Sequence, residues 1–470
     1  MILSTLLLLL ARAAFAPQTP TASGPLAFTH VAVIDPASGA VQRGMTVLVE
    51  GSRISGVRPD SATGTAALPP GSREIDARGK FLIPGLWDMH VHTLFGDWVP
   101  GGREVILPLL LANGVTGARD MGSDLEPILQ AREATARGTW IGPRLVVSGP
   151  MLDGPKPQFP ASIAVSTPED GRRAVAMLQG RGVDFIKLQS LVPRDAYFAI
   201  ADECRKRGIS FVGHVPDAIR ASEASDAGQK SFEHLIGVFE GSTPAAFEDE
   251  LLKGPKGPAK FLAGYDAGRE AGLIARLAKN RTWQCPTLLW EYGGWLVDVV
   301  DVAKYPELRY APAAWREKTW PRFKADMVKS YITDPLPVRE KWVEHELGIV
   351  ARLHGAGVPM LAGTDAPPGV GVVPGMSLHR ELARFVAAGF SPLEALRTAT
   401  INPATFLDRT KDFGSVETGK IADLVLLDAN PLDDIANTTK IAAVVANGRL
   451  LSRADLDRIL SDVEAWARSH

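Results

Sequence analysis

The stretch Phe81-Leu-Ile-Pro-Gly-Leu-Trp-Asp-Met-His-Val-His-Thr93 is an apolar run that ends in two histidines, His90 and His92, one residue apart. Side chains on a strand alternate between its two faces, so both imidazoles leave the backbone on the same side. Histidine is the commonest metal ligand among the side chains. The pair therefore forms half of a metal site, or else two ordinary polar residues at a strand end.

Length and composition limit the class of protein. The chain has 470 residues, which is enough for a large core and more than one domain. Lys and Arg number 51 against 53 Asp and Glu, so no basic excess points to nucleic acid as a partner. Only Cys204 and Cys285 are present, which excludes a disulfide framework and leaves open whether these two pair.

Residues 1–16 join an apolar run to small-residue sites such as Ala14-Phe15-Ala16, a pattern typical of a secretory signal peptide. The run is shorter than the roughly 20 apolar residues of a membrane span, so we expect no stable membrane insertion. No Lys or Arg precedes the apolar run, and Pro17 would follow the cleavage point. We expect a secreted or periplasmic protein, with a cytoplasmic protein as the alternative.

The two ends of the chain share a β-rich sequence pattern. Residues 26–79 contain short β-rich runs separated by turn residues, as is typical of antiparallel strands. Residues 413–450 return to the same pattern, so we expect the two segments to form one small β-sandwich domain. Residues 451–470 carry a final amphipathic helix.

Residues 80–412 alternate between strand-like and helical patterns. The apolar strand-like runs are 81–92, Val115–Met121, Arg144–Met151, Phe185–Leu188, Ser210–Val215, Ser231–Leu235, Trp283–Leu288 and Val358–Ala362. Eight alternating units predict an α/β fold, the (β/α)8 TIM barrel, whose active site lies at the C-terminal ends of the strands. Two connections are long, 236–280 and the aromatic-rich 290–345. Such loops form a lid or pocket wall, or else pack as extra helices.

Four more reactive side chains stand at the ends of these predicted strands: Lys187, His214, His234 and Asp365. Each has a structural alternative, namely a hydrogen-bonded core histidine, a turn carboxylate or a lysine that reaches the surface. A lysine that closes an apolar strand buries a charge, which is costly without a partner. Its neutral amine could instead react with carbon dioxide to give a carbamate that bridges two metals. Their joint occurrence at strand ends favours a metal site.

On these residues the chain resembles the amidohydrolase superfamily over residues 26–450. The motifs that carry the resemblance are Pro84-Gly85 before His90-x-His92, then Lys187, His214, His234, Gly363-Thr364-Asp365 and Gly419-Lys-Ile-Ala-Asp423. Within the superfamily it is most similar to the imidazolonepropionase-related dipeptidases, which include prolidase-like and N-acyl-amino-acid-hydrolysing enzymes. Lys187 departs from the imidazolonepropionase pattern, which is mononuclear and lacks this lysine. The binuclear arrangement is therefore the better match.

The resemblance implies two divalent metal ions, with zinc favoured. The ligands it implies are His90, His92 and Asp365 for the more buried ion, His214 and His234 for the other, and carbamylated Lys187 together with a hydroxide between them. The hydroxide would attack the scissile carbonyl. Asp365 would accept the water proton and return it to the leaving nitrogen as general base and then acid.

Substrate contacts are expected from Gln189, Tyr292 and Arg119, although Arg119 beside Asp120 could instead form a structural ion pair. The implied function is hydrolysis of amide C–N bonds in dipeptides or N-acyl amino acids, a small-molecule or short-peptide substrate. The same centre could act on a lactone, cyclic amide or organophosphate ester. A non-catalytic scaffold is disfavoured because it has no need of Asp365. We also expect a homo-oligomer.

Overall fold

The computed structural model describes residues 24–60, 68–253, 257–330 and 332–470. The predicted signal peptide, residues 1–16, lies outside the described residues. None of the helices within those ranges combines the length and apolar character needed to cross a bilayer.

The strands are β1 Leu26–Ile34, β2 Val41–Glu50, β3 Arg53–Pro59, β4 Arg73–Asp76, β5 Phe81–Pro84, β6 Leu86–Val91, β7 Val115–Asp120, β8 Arg144–Val147, β9 Met151–Asp153, β10 Ser162–Ala164, β11 Ile186–Leu188, β12 Phe211–Gly213, β13 Ser231–Glu233, β14 Trp283–Cys285, β15 Leu424–Leu427, β16 Ile441–Ala446 and β17 Arg449–Ser452. The α-helices are α1 Leu107–Ala112, α2 Leu125–Ala136, α3 Pro168–Gly180, α4 Arg194–Arg207, α5 Ala221–Asp226, α6 Val238–Gly241, α7 Ala245–Lys253, α8 Pro258–Gly264, α9 Ala267–Asn280, α10 Leu288–Trp295, α11 Trp320–Ser330, α12 Leu336–Gly355, α13 Met376–Ala387, α14 Pro392–Thr398, α15 Ile401–Phe406 and α16 Arg453–Ser469.

Strands from both ends of the chain share one sheet, in the order β17-β16-β15-β5-β1-β2-β3, with β4 beside β1. Its apolar side chains form a separate small core, so this is the β-sandwich-like domain that the sequence predicts. The sheet also takes in β5, which pairs antiparallel with β15. The prediction of one strand over 81–92 was therefore wrong.

The break between β5 and β6 falls at Gly85. A Cβ atom at this position would overlap the side chain of Thr116, so only glycine allows the chain to pass so close to β7. The Gly85 N–H donates to the carbonyl of Asp423 at 2.8 Å. The junction therefore attaches the terminal sheet to the base of the barrel, and it fixes where His90 and His92 begin their strand.

The rest of the chain forms the TIM barrel. Parallel strands run in the orders β6-β7-β8 and β9-β11-β12-β13-β14. The eighth predicted strand, 358–362, closes the barrel through a parallel bridge between Met360 and Gln284. On its other side the Met89 N–H donates to the Ala362 carbonyl at 2.9 Å. All the strand ends that carry candidate ligands therefore meet at one face.

The predicted third strand, Arg144–Met151, is divided into β8 and β9. Gly149 between them has a φ of +63°, in the left-handed region that an extended strand does not visit. Pro150 follows it and cannot donate to a ladder. Strand β9 then pairs with β11, which continues the barrel toward Lys187.

The two long connections form helices, α6–α9 after β13 and α10–α12 after β14, and residues of α6, α8, α10 and α11 line a cavity at the barrel mouth. Most of their aromatic residues pack against one another. Trp342 stacks on Phe261 with ring centroids 5.0 Å apart, and Phe239 meets Trp342 at 4.7 Å. For Trp342 the packing alternative is therefore correct, whereas Phe239 and Phe261 also line a cavity.

Candidate metal centre

The four strand-end histidines share one arrangement: each imidazole is held through Nδ1. The Nδ1 partners are Glu233 Oε2 for His90 at 2.9 Å, the Gly122 carbonyl for His92 at 2.8 Å, Ser190 Oγ for His214 at 2.8 Å and Thr287 Oγ1 for His234 at 2.6 Å. A carboxylate or carbonyl partner requires that Nδ1 carry the proton, which leaves a lone pair on Nε2. Metal-ligating histidines are oriented by this kind of outer contact.

Asp365 faces the Nε2 atoms of these rings. Its Oδ1 lies 3.1 Å from Nε2 of His92 and 3.4 Å from Nε2 of His90, and its Oδ2 lies 3.9 Å from Nε2 of His234. Oδ1 is buried and has no hydrogen-bond partner in the described part of the chain. A buried carboxylate oxygen surrounded by ring nitrogens fits a bound cation.

The backbone at these positions is also unusual. Asp365, His234 and Thr287 have φ values of +53°, +61° and +49°, in the left-handed region that non-glycine residues rarely adopt. Such conformations cost of order 1–3 kcal/mol each and cluster at functional sites. Asp365 and His234 are candidate ligands, and Thr287 holds the His234 ring through its Oγ1.

Lys187 is buried in β11, and no hydrogen bond or ion pair holds its Nζ within the described ranges. Burial lowers the pKa of Lys187 to about 8. A Cβ at Gly213 of the neighbouring β12 would lie 2.8 Å from Lys187 Cδ, so the glycine makes room for the side chain. The lowered pKa makes the neutral amine, the form that reacts with carbon dioxide, far more accessible than it is for a lysine on the surface.

The six predicted ligands all line one cavity of about 590 Å³. The ring centroids of His90 and His234 lie 4.7 Å apart, and those of His214 and His234 lie 5.0 Å apart. Ligand atoms of His90, His234 and Asp365 lie within 4.8 Å of one another. The structure thus brings together residues that the sequence separates by up to 275 positions, from His90 to Asp365.

Arg119 lies below this centre and is not on the cavity lining. Its Nε donates to the Met89 carbonyl at 2.5 Å, its Nη1 to Ser231 Oγ at 3.0 Å and its Nη2 to both carboxylate oxygens of Glu233 at 2.9 Å. The guanidinium is fully buried, so it cannot meet a substrate. The expected substrate contact at Arg119 was therefore wrong, and its ion-pair partner is Glu233 rather than Asp120.

Glu233 also belongs to a second possible ligand group, with His90 and Cys285. Its carboxylate already accepts hydrogen bonds from Arg119, Ser231 and His90. Burial raises the pKa of the Cys285 thiol well above its usual value, which disfavours the thiolate that binds metals. In this group Glu233 therefore positions His90 from beneath the cavity. Both Cys204 and Cys285 are free thiols.

Asp88, which the sequence analysis did not single out, and Thr364, which it named only as part of the Gly363-Thr364-Asp365 motif, link the first and last strand ends. Asp88 accepts from the Thr364 N–H at 3.0 Å and from Thr364 Oγ1 at 2.7 Å. Burial raises the pKa of Asp88 to about 7. The only sequence signal for this contact was the position of each residue, one or two places before a predicted ligand.

Of the two remaining expected substrate contacts, Gln189 lies on the cavity lining and Tyr292 does not. Gln189 lines the cavity, and its buried Oε1 has no hydrogen-bond partner among the residues described. Tyr292 faces away, with the Arg384 guanidinium 3.5 Å from its ring centroid. The adjacent Trp290 and Glu291 face the cavity instead. The expectation for Tyr292 was wrong by one or two positions, because α10 turns that side chain outward.

Comparison with known proteins agrees with this architecture. Imidazolonepropionase from Anaeromyxobacter sp. (strain K) is 26% identical over 452 residues, 93% of this chain and 97% of that protein. A putative prolidase from Bifidobacterium longum is 26% identical, with a TM-score of 0.65, over 94% of this chain and 99% of that one. Bottromycin amidohydrolase is also 26% identical, with a TM-score of 0.72, over 94% of this chain and 90% of that one.

The model of the amidohydrolase family matches residues 81–451, which include every candidate ligand and most of the barrel. Members of this family are hydrolases of C–N bonds that use divalent metal. The chain therefore belongs to the amidohydrolase family.

Proposed function

We propose that this chain is a binuclear metal-dependent hydrolase that cleaves the amide bond of dipeptides or N-acyl amino acids. The observation that carries the proposal is the set of four imidazoles anchored through Nδ1 around Asp365 and Lys187. An ordinary buried histidine uses both nitrogens on protein partners. His379 does so here, with Thr438 Oγ1 on Nδ1 and the Asn113 carbonyl on Nε2.

The residues that would hold two ions are His90, His92, Lys187, His214, His234 and Asp365. This imidazole and carboxylate set suits zinc, and an anionic oxygen from carbamylated Lys187 would complete it. When bound, the ions would supply Lewis acidity at the scissile carbonyl and lower the pKa of the attacking water to about 7.

Asp365 is the proposed proton carrier. Its carboxylate would accept the proton of the attacking water, and the same carboxyl would then donate it to the leaving nitrogen. The Asp88–Thr364 contact holds the backbone next to Asp365, whose own N–H donates to the His90 carbonyl at 2.7 Å. The carboxylate therefore stays beside the ligands while the proton moves.

The cavity supports a small substrate with an amide bond. Its volume lies within the roughly 300–1,000 Å³ of typical small-molecule sites. Gln189 lines the cavity two residues beyond Lys187 and is the proposed polar contact to the substrate amide. Phe95, Trp98 and Phe159 form an aromatic wall with neighbouring centroids 4.9 and 5.3 Å apart, which excludes water from an apolar substrate group.

The decisive experiment measures the metal content of the purified protein and its activity on a panel of dipeptides and N-acyl amino acids. We expect about two equivalents of metal per chain and amide hydrolysis that a chelator abolishes. Two equivalents without amide hydrolysis would overturn the substrate proposal and favour lactones, cyclic amides or organophosphate esters. A protein that binds no metal would overturn the catalytic proposal in favour of a scaffold.

A further inference from the structure

Helix α11 contributes one face to the cavity. Arg322, Phe323, Asp326 and Met327 line it, and their spacing places them on adjacent turns of the same helical face. Phe323 meets Trp290 at 5.4 Å between ring centroids, which fixes this face against the wall of the cavity. The helix belongs to the long connection after β14, so it lies apart from the strand ends that hold the candidate ligands.

Arg322 is the only arginine on the lining within the described residues, and no hydrogen bond or ion pair there occupies its guanidinium. Nor does an ion pair join it to Asp326, one turn further along the same helix. The guanidinium of Arg119, by contrast, donates hydrogen bonds to Met89, Ser231 and Glu233. A guanidinium is always charged and presents donors in a planar fork that matches a carboxylate.

We propose that Arg322 binds the free carboxylate of the substrate, and that it thereby restricts the enzyme to amides with a C-terminal or α-carboxylate. The inference rests on the proposed function and narrows its substrate class. The apolar side chain next to that carboxylate would pack on Phe323 and Trp290. Lactones, internal peptide bonds and capped peptides have no group for Arg322 and would bind more weakly.

A binding experiment tests this without turnover. L-phenylalanine and L-phenylalaninamide differ only at the carboxyl group, neither contains a peptide bond, and ammonia release reveals any hydrolysis of the carboxamide during the measurement. Trp290 and Trp98 line the cavity, so tryptophan fluorescence of the purified metalloprotein reports binding. We expect the acid to bind about tenfold or more tightly than the amide, the value of one charge-assisted contact, and Arg322→Met to abolish that preference.

Steady-state kinetics give the second readout. The substrates are L-alanyl-L-phenylalanine and its C-terminal carboxamide, and the release of alanine measures hydrolysis of either one. We expect the ratio of kcat/KM between acid and amide to fall about tenfold or more in Arg322→Met, mainly through KM, and Arg322→Lys to restore part of it. The matched control is Lys324→Met, which removes a positive charge from an α11 residue that is not on the lining.

The alternatives give different results. Equal binding of acid and amide by the unmodified protein would overturn the role of Arg322. So would a loss in Arg322→Met that affects both ligands equally, or one that Asp326→Asn relieves, because Arg322 would then only balance a neighbouring charge. If the acid preference depends on Arg322 but no dipeptide or N-acyl amino acid is cleaved, the carboxylate site stands and the proposed function fails.

Discussion

His90 donates from Nδ1 to Oε2 of Glu233 at 2.9 Å; both side chains are buried, and Glu233 lies beneath the cavity that His90 lines. Glu233 in turn receives Arg119 and the Ser231 hydroxyl. Through this contact the charge of Arg119, which is fully buried and not on the cavity lining, helps to orient a candidate metal ligand. The relation between His90 and Glu233 gives the first prediction.

Glu233→Gln should weaken metal binding about 10- to 100-fold, because a neutral amide orients His90 less firmly and makes Nε2 less basic. Titration against a competing chelator measures the affinity. Glu223→Gln is the control, since Glu223 pairs with Arg194 on the surface. Unchanged metal affinity in Glu233→Gln would mean that packing alone positions His90.

Arg119→Met should destabilise the fold rather than alter substrate binding. Removing one partner of a buried ion pair leaves the Glu233 charge uncompensated, at a cost of about 3–5 kcal/mol. Urea unfolding measures the loss, and KM of the surviving folded enzyme should stay near its original value. A large rise in KM with unchanged stability would restore the substrate role for Arg119.

Asp365→Asn should lower kcat by about 100-fold or more, the typical contribution of a general base, while metal content stays near normal. Asparagine tolerates the left-handed backbone of this position, so the loop is kept. Asp408→Asn is a matched control, because the exposed Asp408 has a φ of +56° and lies away from the cavity. Full activity of Asp365→Asn would remove the proposed base.

Lys187→Ala should lower metal occupancy, because the proposed carbamate, which would supply oxygen ligands to both ions, is lost. Reconstitution of the chelated protein with zinc should depend on bicarbonate in the original enzyme and not in the variant. Lys230→Ala serves as the control, since Lys230 pairs with Asp408 at 3.2 Å outside the cavity. Unchanged stoichiometry in Lys187→Ala would contradict a bridging carbamate.

Glu381→Gln should change how stability depends on pH. Burial raises the pKa of Glu381 to about 8, although the N–H groups of Leu288 and Leu289 donate to its carboxylate. The folded state therefore holds a proton that the unfolded state releases above about pH 4.5, and the stability this confers is lost as pH rises through 8.

In urea unfolding between about pH 5 and 8, the original protein should lose about 1.4 kcal/mol per pH unit relative to Glu381→Gln, which has no proton to release. Equal slopes for the two proteins would show that Glu381 is ionised in the folded state. The helix that Glu381 supports carries Trp290 and Glu291 on the cavity wall.

Part of the fold and of the candidate site could be predicted from local sequence, and part could not. The alternation of apolar runs predicted the barrel, and single reactive residues at strand ends predicted six candidate ligands, which the fold brings to one cavity. The split at Gly85 and the division of the third strand were missed, because both arise from glycines whose role depends on what lies nearby. The choice of Tyr292 over Trp290 failed because periodicity alone does not orient a short helix.

By itself, the sequence determined the type and order of the elements and the six side chains capable of holding metal, because hydrophobic period and residue chemistry are local properties. Only the tertiary structure decided which nitrogen of each histidine is free, which arginine is buried on Glu233 and which one faces the cavity. Those outcomes depend on hydrogen bonds and ion pairs between strands and helices far apart in the chain. Such partners are selected by packing and desolvation once the barrel has closed.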